Sequence, residues 1–250
     1  MMKTPIVAYL GKGGQQEMAE SFARKNDIPL ASAPGEGLTV VFDAKGVSLT
    51  GFGLRYQGDF EEMLHRVTEG RLAHEMLVRA AKTGETGLRA IDATAGMGED
   101  SFLLAAYGYE VTLYEQNPVV AALLKDALRR AKRNPLLRDI AARMQLVQGN
   151  SMEFLRQGPA NVELVYLDPM FPERQKSGLI GKKLQLIQKL EPPCSAETAL
   201  FDAAIQANPA KIIVKRPLKA PCLAGLTPSY SLDGKAIRYD CYVRGAHGQE

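Results

Sequence analysis

The sequence predicts an α/β protein: a mostly parallel sheet wound with helices, closed by an antiparallel hairpin and preceded by a small α+β unit. Three observations carry this prediction. Between residues 88 and 214, apolar runs of strand length (88–93, 110–114, 144–147, 162–167, 211–214) alternate with helical patterns. The helical patterns are 100–107, 118–133, a short one capped by Ser151, 179–190 and 196–207. That alternation is the mark of βαβ units with right-handed crossovers. The tail breaks the rhythm, because residues 229–232 and 236–243 flank Asp233-Gly234, a two-residue hairpin signal. The first 57 residues follow a third pattern: a strand at 6–10, a helix at 15–25, and strands at 38–42 and 47–49 around the turn Asp43-Ala44-Lys45-Gly46.

These patterns divide the chain into a small N-terminal unit, 1–57, and a main unit, 58–250, which opens with a helical lead-in over 59–82 kinked at Gly70. Asn117 and Pro118 start the long helix as N-cap and first-turn residue. Gly11-Lys12-Gly13-Gly14 lacks the Gly-Lys-Ser/Thr ending of a phosphate loop and reads as a turn.

At 250 residues and 46% hydrophobic, the chain can bury a full core. No window reaches the ~18 apolar residues of a membrane span, and the start Met-Met-Lys-Thr-Pro lacks the apolar core of a signal peptide, so a cytoplasmic protein is expected. Cys194, Cys222 and Cys241 share no ligand spacing with one another or with His65, His74 and His247, so neither a metal nor a disulfide framework is expected. A monomer is expected as well. The net charge of +3 is uneven: residues 1–100 carry 11 Lys+Arg against 14 Asp+Glu, and residues 101–250 carry 20 against 14. The basic groups cluster at Lys125, Arg129, Arg130, Lys132 and Arg133, at Arg174, Lys176, Lys182 and Lys183, and at Lys211, Lys215, Arg216 and Lys219. Such a stripe suits a polyanion, although helix faces rich in Lys and Arg are often only solvated.

The stretch with the most chemical content is Leu164-Val165-Tyr166-Leu167-Asp168-Pro169-Met170-Phe171-Pro172. A buried strand delivers Asp168 to the carboxyl edge of the sheet, where open α/β folds bind their ligands. Pro169 and Pro172 stiffen the turn, and Phe171 is presented beside the carboxylate. An acid next to an exposed aromatic can hold an amino group on a flat ring.

Asp92-Ala93-Thr94-Ala95-Gly96-Met97-Gly98-Glu99-Asp100 ends the first strand of the main unit and opens a helix. It lacks the third glycine of a nicotinamide fingerprint, and the charges of Glu99 and Asp100 would repel a pyrophosphate there. They suit a cationic ligand instead. Glu115, followed by Gln116, ends the second strand, where an acid takes ribose hydroxyls. Gly149-Asn150-Ser151 ends the third, placed to bond an adenine amino edge. A ribose, an adenine and a positive charge without phosphate describe S-adenosylmethionine.

The runs from Asp92 to Asp100, from Glu115 to Leu124, from Asp168 to Ser177, and Val214-Lys215-Arg216-Pro217 resemble the RsmJ family of ribosomal RNA methyltransferases in order and spacing. The resemblance spans about residues 59–243. It implies a Rossmann-like S-adenosylmethionine-dependent fold, a metal-free cofactor site and transfer of a methyl group to the exocyclic N2 of a guanine in 16S ribosomal RNA or the small subunit. Asp168, Pro169 and Phe171 would then be catalytic. Asp92, Gly96, Glu99, Asp100, Glu115, Gln116, Asn150, Ser151 and Asp168 would hold the cofactor, leaving its demethylated product after transfer. Arg174, Lys176, Lys182, Lys183, Lys215 and Arg216 would hold RNA phosphates. The family usually has Arg-Asp where this chain has Glu99-Asp100.

Other readings stay open on the residues alone. They are an amino-group methyltransferase acting on DNA adenine or cytosine or on protein glutamine, a nicotinamide-dependent dehydrogenase, and a non-catalytic RNA-binding assembly protein on the same fold.

Overall fold

In a computed structural model the described residues are 6–35, 37–82, 88–159, 161–169, 186, 190 and 196–245. Within them the chain forms two sheets. The first takes β1 (Ile6–Leu10), β2 (Leu30–Ala31), β3 (Leu38–Asp43), β4 (Gly46–Gly51) and β5 (Leu54–Tyr56) in the order β2-β1-β3-β4-β5. Helix α1 (Gln16–Asn26) packs Ala19, Phe22 and Ala23 against it. The turn between β3 and β4 is as the sequence predicts: Asp43 pairs with Gly46, and the Asp43 carboxylate accepts the Lys45 N–H at 2.8 Å. The short strands β2 and β5 are not legible in the sequence, because backbone pairing with longer neighbours makes them strands.

The second sheet has the order β11-β12-β10-β9-β6-β7-β8, from β6 (Arg89–Asp92), β7 (Glu110–Glu115), β8 (Met144–Gln148), β9 (Leu164–Leu167), β10 (Lys211–Pro217), β11 (Tyr230–Asp233) and β12 (Ile237–Val243). Strands β6 to β10 are parallel, and β11 and β12 close the sheet antiparallel. The chain builds from β6 outward to β7 and β8, then returns to the other side of β6 for β9 and β10. The strand order therefore reverses between β6 and β9, and that switch point is where open α/β sheets form their ligand crevice.

Both faces of this sheet are covered, so its central strands are apolar on both sides and their alternation is hidden in sequence. In β9, Leu164 and Tyr166 join the core formed with α3 (Met76–Ala81), α4 (Glu99–Tyr107) and α5 (Pro118–Ala131). Val165 and Leu167 join the opposite core with α7 (Ser151–Leu155) and α8 (Glu197–Gln206). In β10, Ile213 takes the first face, and Ile212 and Val214 take the second. The N-terminal sheet seats on α5, where Val119 and Leu123 share a core with Val40, Val47 and Leu49. The approach is close at Gly46, whose φ is +114° and where any Cβ would overlap the Asp126 carboxylate.

Four local expectations need correction. Residues 59–82 do not form one kinked helix but break into Phe60–Met63, α2 (Leu64–Val67), Leu72–His74 and α3. Gly70 stands at φ +82°, and Arg71 and Leu72 donate back to the Thr68 carbonyl, which ends the run and starts another. The cap of α7 is Asn150, whose side chain accepts the Met152 N–H at 3.0 Å, not Ser151. A further helix, α6 (Arg138–Ala142), precedes β8. The final hairpin turns at Lys235-Ala236, two positions later than predicted, since Asp233 pairs with Arg238 and the Gly234 N–H donates to the Ile237 carbonyl. Gly234 serves a different need there: a Cβ would lie 2.9 Å from Met76 Cε. No described helix is long and apolar enough to cross a membrane. The helix expected over 179–190 lies, apart from Leu186 and Leu190, outside the described residues.

Candidate active site

Strand alternation assigns the polar residues at the sheet's carboxyl edge to faces before any contact is measured. Counting by two from Ala90, Tyr166 and Ile213 puts Asp92, Asp168 and Lys215 on the face covered by α4. The structure brings these residues together. Asp92 is 1% exposed; its carboxylate accepts the Ser101 hydroxyl at 2.6 Å and the Thr94 N–H at 3.0 Å. Burial pushes its carboxyl up to about 7 against those two hydrogen bonds, and nearby Asp100 and Asp168 add to the rise. Asp100, in the first turn of α4, accepts the Tyr166 hydroxyl at 2.6 Å and the Lys215 ammonium at 2.7 Å. The same ammonium lies 3.0 Å from Asp168 Oδ2. Burial opposes the charge on Lys215, but Asp100 and Asp168 outweigh it and hold the ammonium above the ordinary lysine range. The Asp168 N–H donates to Thr94 Oγ1 at 2.7 Å, which ties the end of β9 to the loop after β6. Pro169, next in the chain, is buried.

The adjacent strand ends build a second part of the crevice. Glu115, 6% exposed, accepts the Gly96 N–H at 3.0 Å and the Asn117 N–H at 2.7 Å. The loop from Ala93 to Gly98 folds tightly because Gly96 and Gly98 both take positive φ. Gly98 packs so closely that a Cβ would sit 2.9 Å from Leu124 Cδ1. At Gly96 and Gly149 the reverse holds: among the described residues nothing lies within 4 Å of a Cβ. These two glycines, after β6 and β8, leave the edge open on either side of the Glu115 carboxylate. Ser151 is turned inward, donating to the Ala93 carbonyl at 2.9 Å, and the Asn150 side chain is engaged as the α7 cap. Both therefore brace the loops at this edge. Gln116 and Glu99 are exposed at the rim.

The cofactor fits this edge. A carboxyl group beside glycine backbone that is open among the described residues can accept from ribose hydroxyls. Of the two acids in the first turn of α4, Asp100 is paired with Lys215, and Glu99 leaves that helix start better suited to a cationic ligand than to a phosphate. Among the described residues no group of three or more His, Cys, Asp or Glu could hold a metal.

The family model of S-adenosylmethionine-dependent methyltransferases matches residues 52–244. The ribosomal RNA small subunit methyltransferase J of Pseudomonas aeruginosa strain LESB58 is 40% identical over 245 residues, 94% of each chain. This chain belongs to that methyltransferase J family. The Pseudomonas syringae pv. syringae member is 37% identical over 249 residues, 96% of this chain and 91% of its own. The crystal structure of the S-adenosylmethionine-dependent methyltransferase NGO1261 of Neisseria gonorrhoeae superposes with a TM-score of 0.76 at 30% identity, covering 97% of both chains.

Within this methyltransferase Lys215 and Arg216 of β10 are both engaged by groups of the protein itself. Lys215 is held by carboxylates, as described. Arg216 points to the opposite face and is 4% exposed; it pairs with Glu197 of α8 at 3.2 Å and donates to the Pro221 carbonyl at 2.7 and 3.0 Å. The alternation of a two-faced strand separates neighbours that a basic cluster in sequence places together. Part of the helix stripe is likewise engaged within the protein, since the half-buried Arg129 and Arg130 grip the fully buried Asp126 at 2.6 and 3.0 Å. Phe171, Arg174, Lys176, Lys182 and Lys183 lie outside the described residues. Sequence reasoning passed over Thr94, Ser101 and Tyr166 as site residues. Tyr166 carried a usable signal, because it shares parity with Asp168 on one strand.

Proposed function

We propose that this chain transfers a methyl group from S-adenosylmethionine to the exocyclic N2 of a guanine in the 16S RNA of the small ribosomal subunit, in the cytoplasm and without metal. The observation that carries the reading is Asp168, an acid fixed at the switch point of the sheet by Thr94 and Lys215, next to the edge that suits the cofactor. The methyltransferase J relatives are named for small-subunit ribosomal RNA.

When bound, the cofactor supplies a methyl group on a positively charged sulfur. Glu115 and the backbone around Gly96 would hold its ribose. The Asp168 carboxylate and the Pro169 carbonyl accept hydrogen bonds from the amino group of the base. That draws the nitrogen lone pair out of conjugation with the ring and makes it nucleophilic. Phe171 offers a stacking face, worth ~1–3 kcal/mol per base. A guanine within a helix must first leave its stack. Most of the acceleration then comes from holding two reactants in register, with no covalent intermediate on the protein. As the nitrogen gains the methyl group, the proton it gives up passes to Asp168 or to water. Phosphate contacts fall to Arg174, Lys176, Lys182 and Lys183, which set position without reading sequence.

Mass spectrometry of ribosomal RNA from cells with and without the protein tests the substrate: one methylguanine should be absent without it. With purified enzyme, small subunits or their RNA should accept methyl groups where DNA and protein do not. Asp168→Ala should keep the fold and lower the rate by roughly 10²–10³. Parental turnover in Asp168→Ala, or methylation of DNA or glutamine alone, would refute the reading.

A further inference from the structure

Lys215 extends from β10 into the space between two loops that meet the ligands from different sides. Asp100 stands in the first turn of α4, directly after the glycine loop, and Asp168 ends β9. The ammonium contacts both, at 2.7 and 3.0 Å, with its side chain 19% exposed. The groups facing it come from every neighbouring element. Asp92 is on β6, and Tyr166 on β9 donates to the same Asp100 oxygen. Tyr239 is paired with Lys215 across β12. Arg66, bound to Glu75 at 2.6 and 2.8 Å, adds its charge toward Asp100 and Tyr239. Three carboxylates thus crowd one end of the sheet, and Lys215 is the cation in contact with two of them among the described residues.

We propose that Lys215 is a positioning residue for methyl transfer, which locks the Asp168 carboxylate in one rotamer and fixes it against Asp100 on the cofactor loop. This deepens the function proposed above and rests on it. Two acids facing each other repel and rotate apart; an ammonium between them removes the repulsion and sets their spacing. A lysine that gripped RNA phosphates would have to give up its contacts to both carboxylates. The chain instead holds that charge inside the site, where it aligns Asp168 for the amino group it accepts from.

The test compares K215M, which retains length without charge, and K215R, which retains charge. Positioning predicts that K215M lowers kcat roughly 10²-fold, the usual cost of ~1 Å of misplacement, with KM for the RNA little changed. Its acid limb of kcat against pH should move up by about one unit, because a cation that favours the ionised acids is gone. K215R should recover much of both. An unchanged kcat with a raised KM and a flatter salt dependence of RNA binding would make Lys215 a phosphate contact and overturn the proposal. A loss of melting temperature with the pH profile unmoved would reduce it to a structural tie and overturn it too.

A readout without turnover keeps the two proposals separate. In the cofactor-free parental protein, ¹⁵N NMR of lysine side chains should show a slowly exchanging ammonium that is missing in K215M and shifts in D168N. An ammonium unmoved by D168N overturns the positioning role, whatever the activity. A parental enzyme that shows this signal yet methylates no small-subunit RNA sinks the function and leaves the Lys215–Asp168 contact standing. Should K215M fail to fold, the pH profile of K215R and the D168N spectrum decide.

Discussion

Glu115 and Gly96, 19 positions apart in the chain, are joined by a 3.0 Å hydrogen bond from the Gly96 N–H to the Glu115 carboxylate. The bond crosses from β7 to the loop after β6, so the acid that would take ribose hydroxyls also sets the shape of the loop beside the ligand. Its other oxygen holds the Asn117 N–H at the entry to α5. A ribose contact and the shape of the loop would then depend on one side chain.

Glu115→Gln should therefore weaken S-adenosylmethionine binding by about 1–3 kcal/mol, since a neutral amide offers one acceptor and a weaker one. Glu115→Ala should also lower the melting temperature, because two backbone donors lose their acceptor. Calorimetric titration alongside thermal unfolding separates the effects. Unchanged affinity in the Gln variant would remove Glu115 from the ribose site.

Asp92 should make stability depend on pH. Its carboxyl stands near 7 in the folded protein against 3.8 for the free group, through burial first. Between those values the folded state keeps a proton that the unfolded chain has released. Its contribution is most favourable below about pH 4 and is lost as pH rises to about 7, at most about 4 kcal/mol for that interval. Asp92→Asn lacks this term, so the parental protein should lose stability relative to the variant from pH 4.5 to 7.5. Urea unfolding of both across that range checks it. Parallel curves would mean that Asp92 is ionised throughout.

Arg216 should matter to folding rather than to RNA. Arg216→Ala leaves Glu197 and the Pro221 carbonyl without a partner each now has, which for a buried pair costs roughly 3–5 kcal/mol. Glu197 keeps 22% side-chain exposure, so the lower end is expected. The slope of log affinity for RNA against log salt should stay as in the parental protein. A slope shallower by about 0.7–0.9 would return Arg216 to the phosphate contacts.

Chain order and strand parity account for what could be read without coordinates. The apolar runs 88–93, 110–114, 144–147 and 162–167 put four polar loops at one edge, since parallel strands of βαβ units all end on the same side. That reading needs only periodicity and length, which are local. It supplied the sheet, the terminal hairpin and the site's address, and family resemblance supplied its chemistry. The hairpin's turn lies two positions later than the Asp233-Gly234 signal, where Gly234 pairs with Ile237 and packs against Met76, a residue far away in sequence.

What the chain could not reveal alone is which partner each polar side chain takes. Lys215 and Arg216 are neighbours in a basic cluster, yet one holds the acids of the active site and the other holds Glu197 on the far side of the sheet. The difference arises because a strand buried on both faces sends successive residues to opposite layers, and the charges waiting there come from α4 and α8. Sequence determined that charge would gather at this edge. Only the packing of helices on the two faces decided whether that charge was free for RNA or bound within the protein, because pairing energies depend on distance and burial rather than on order along the chain.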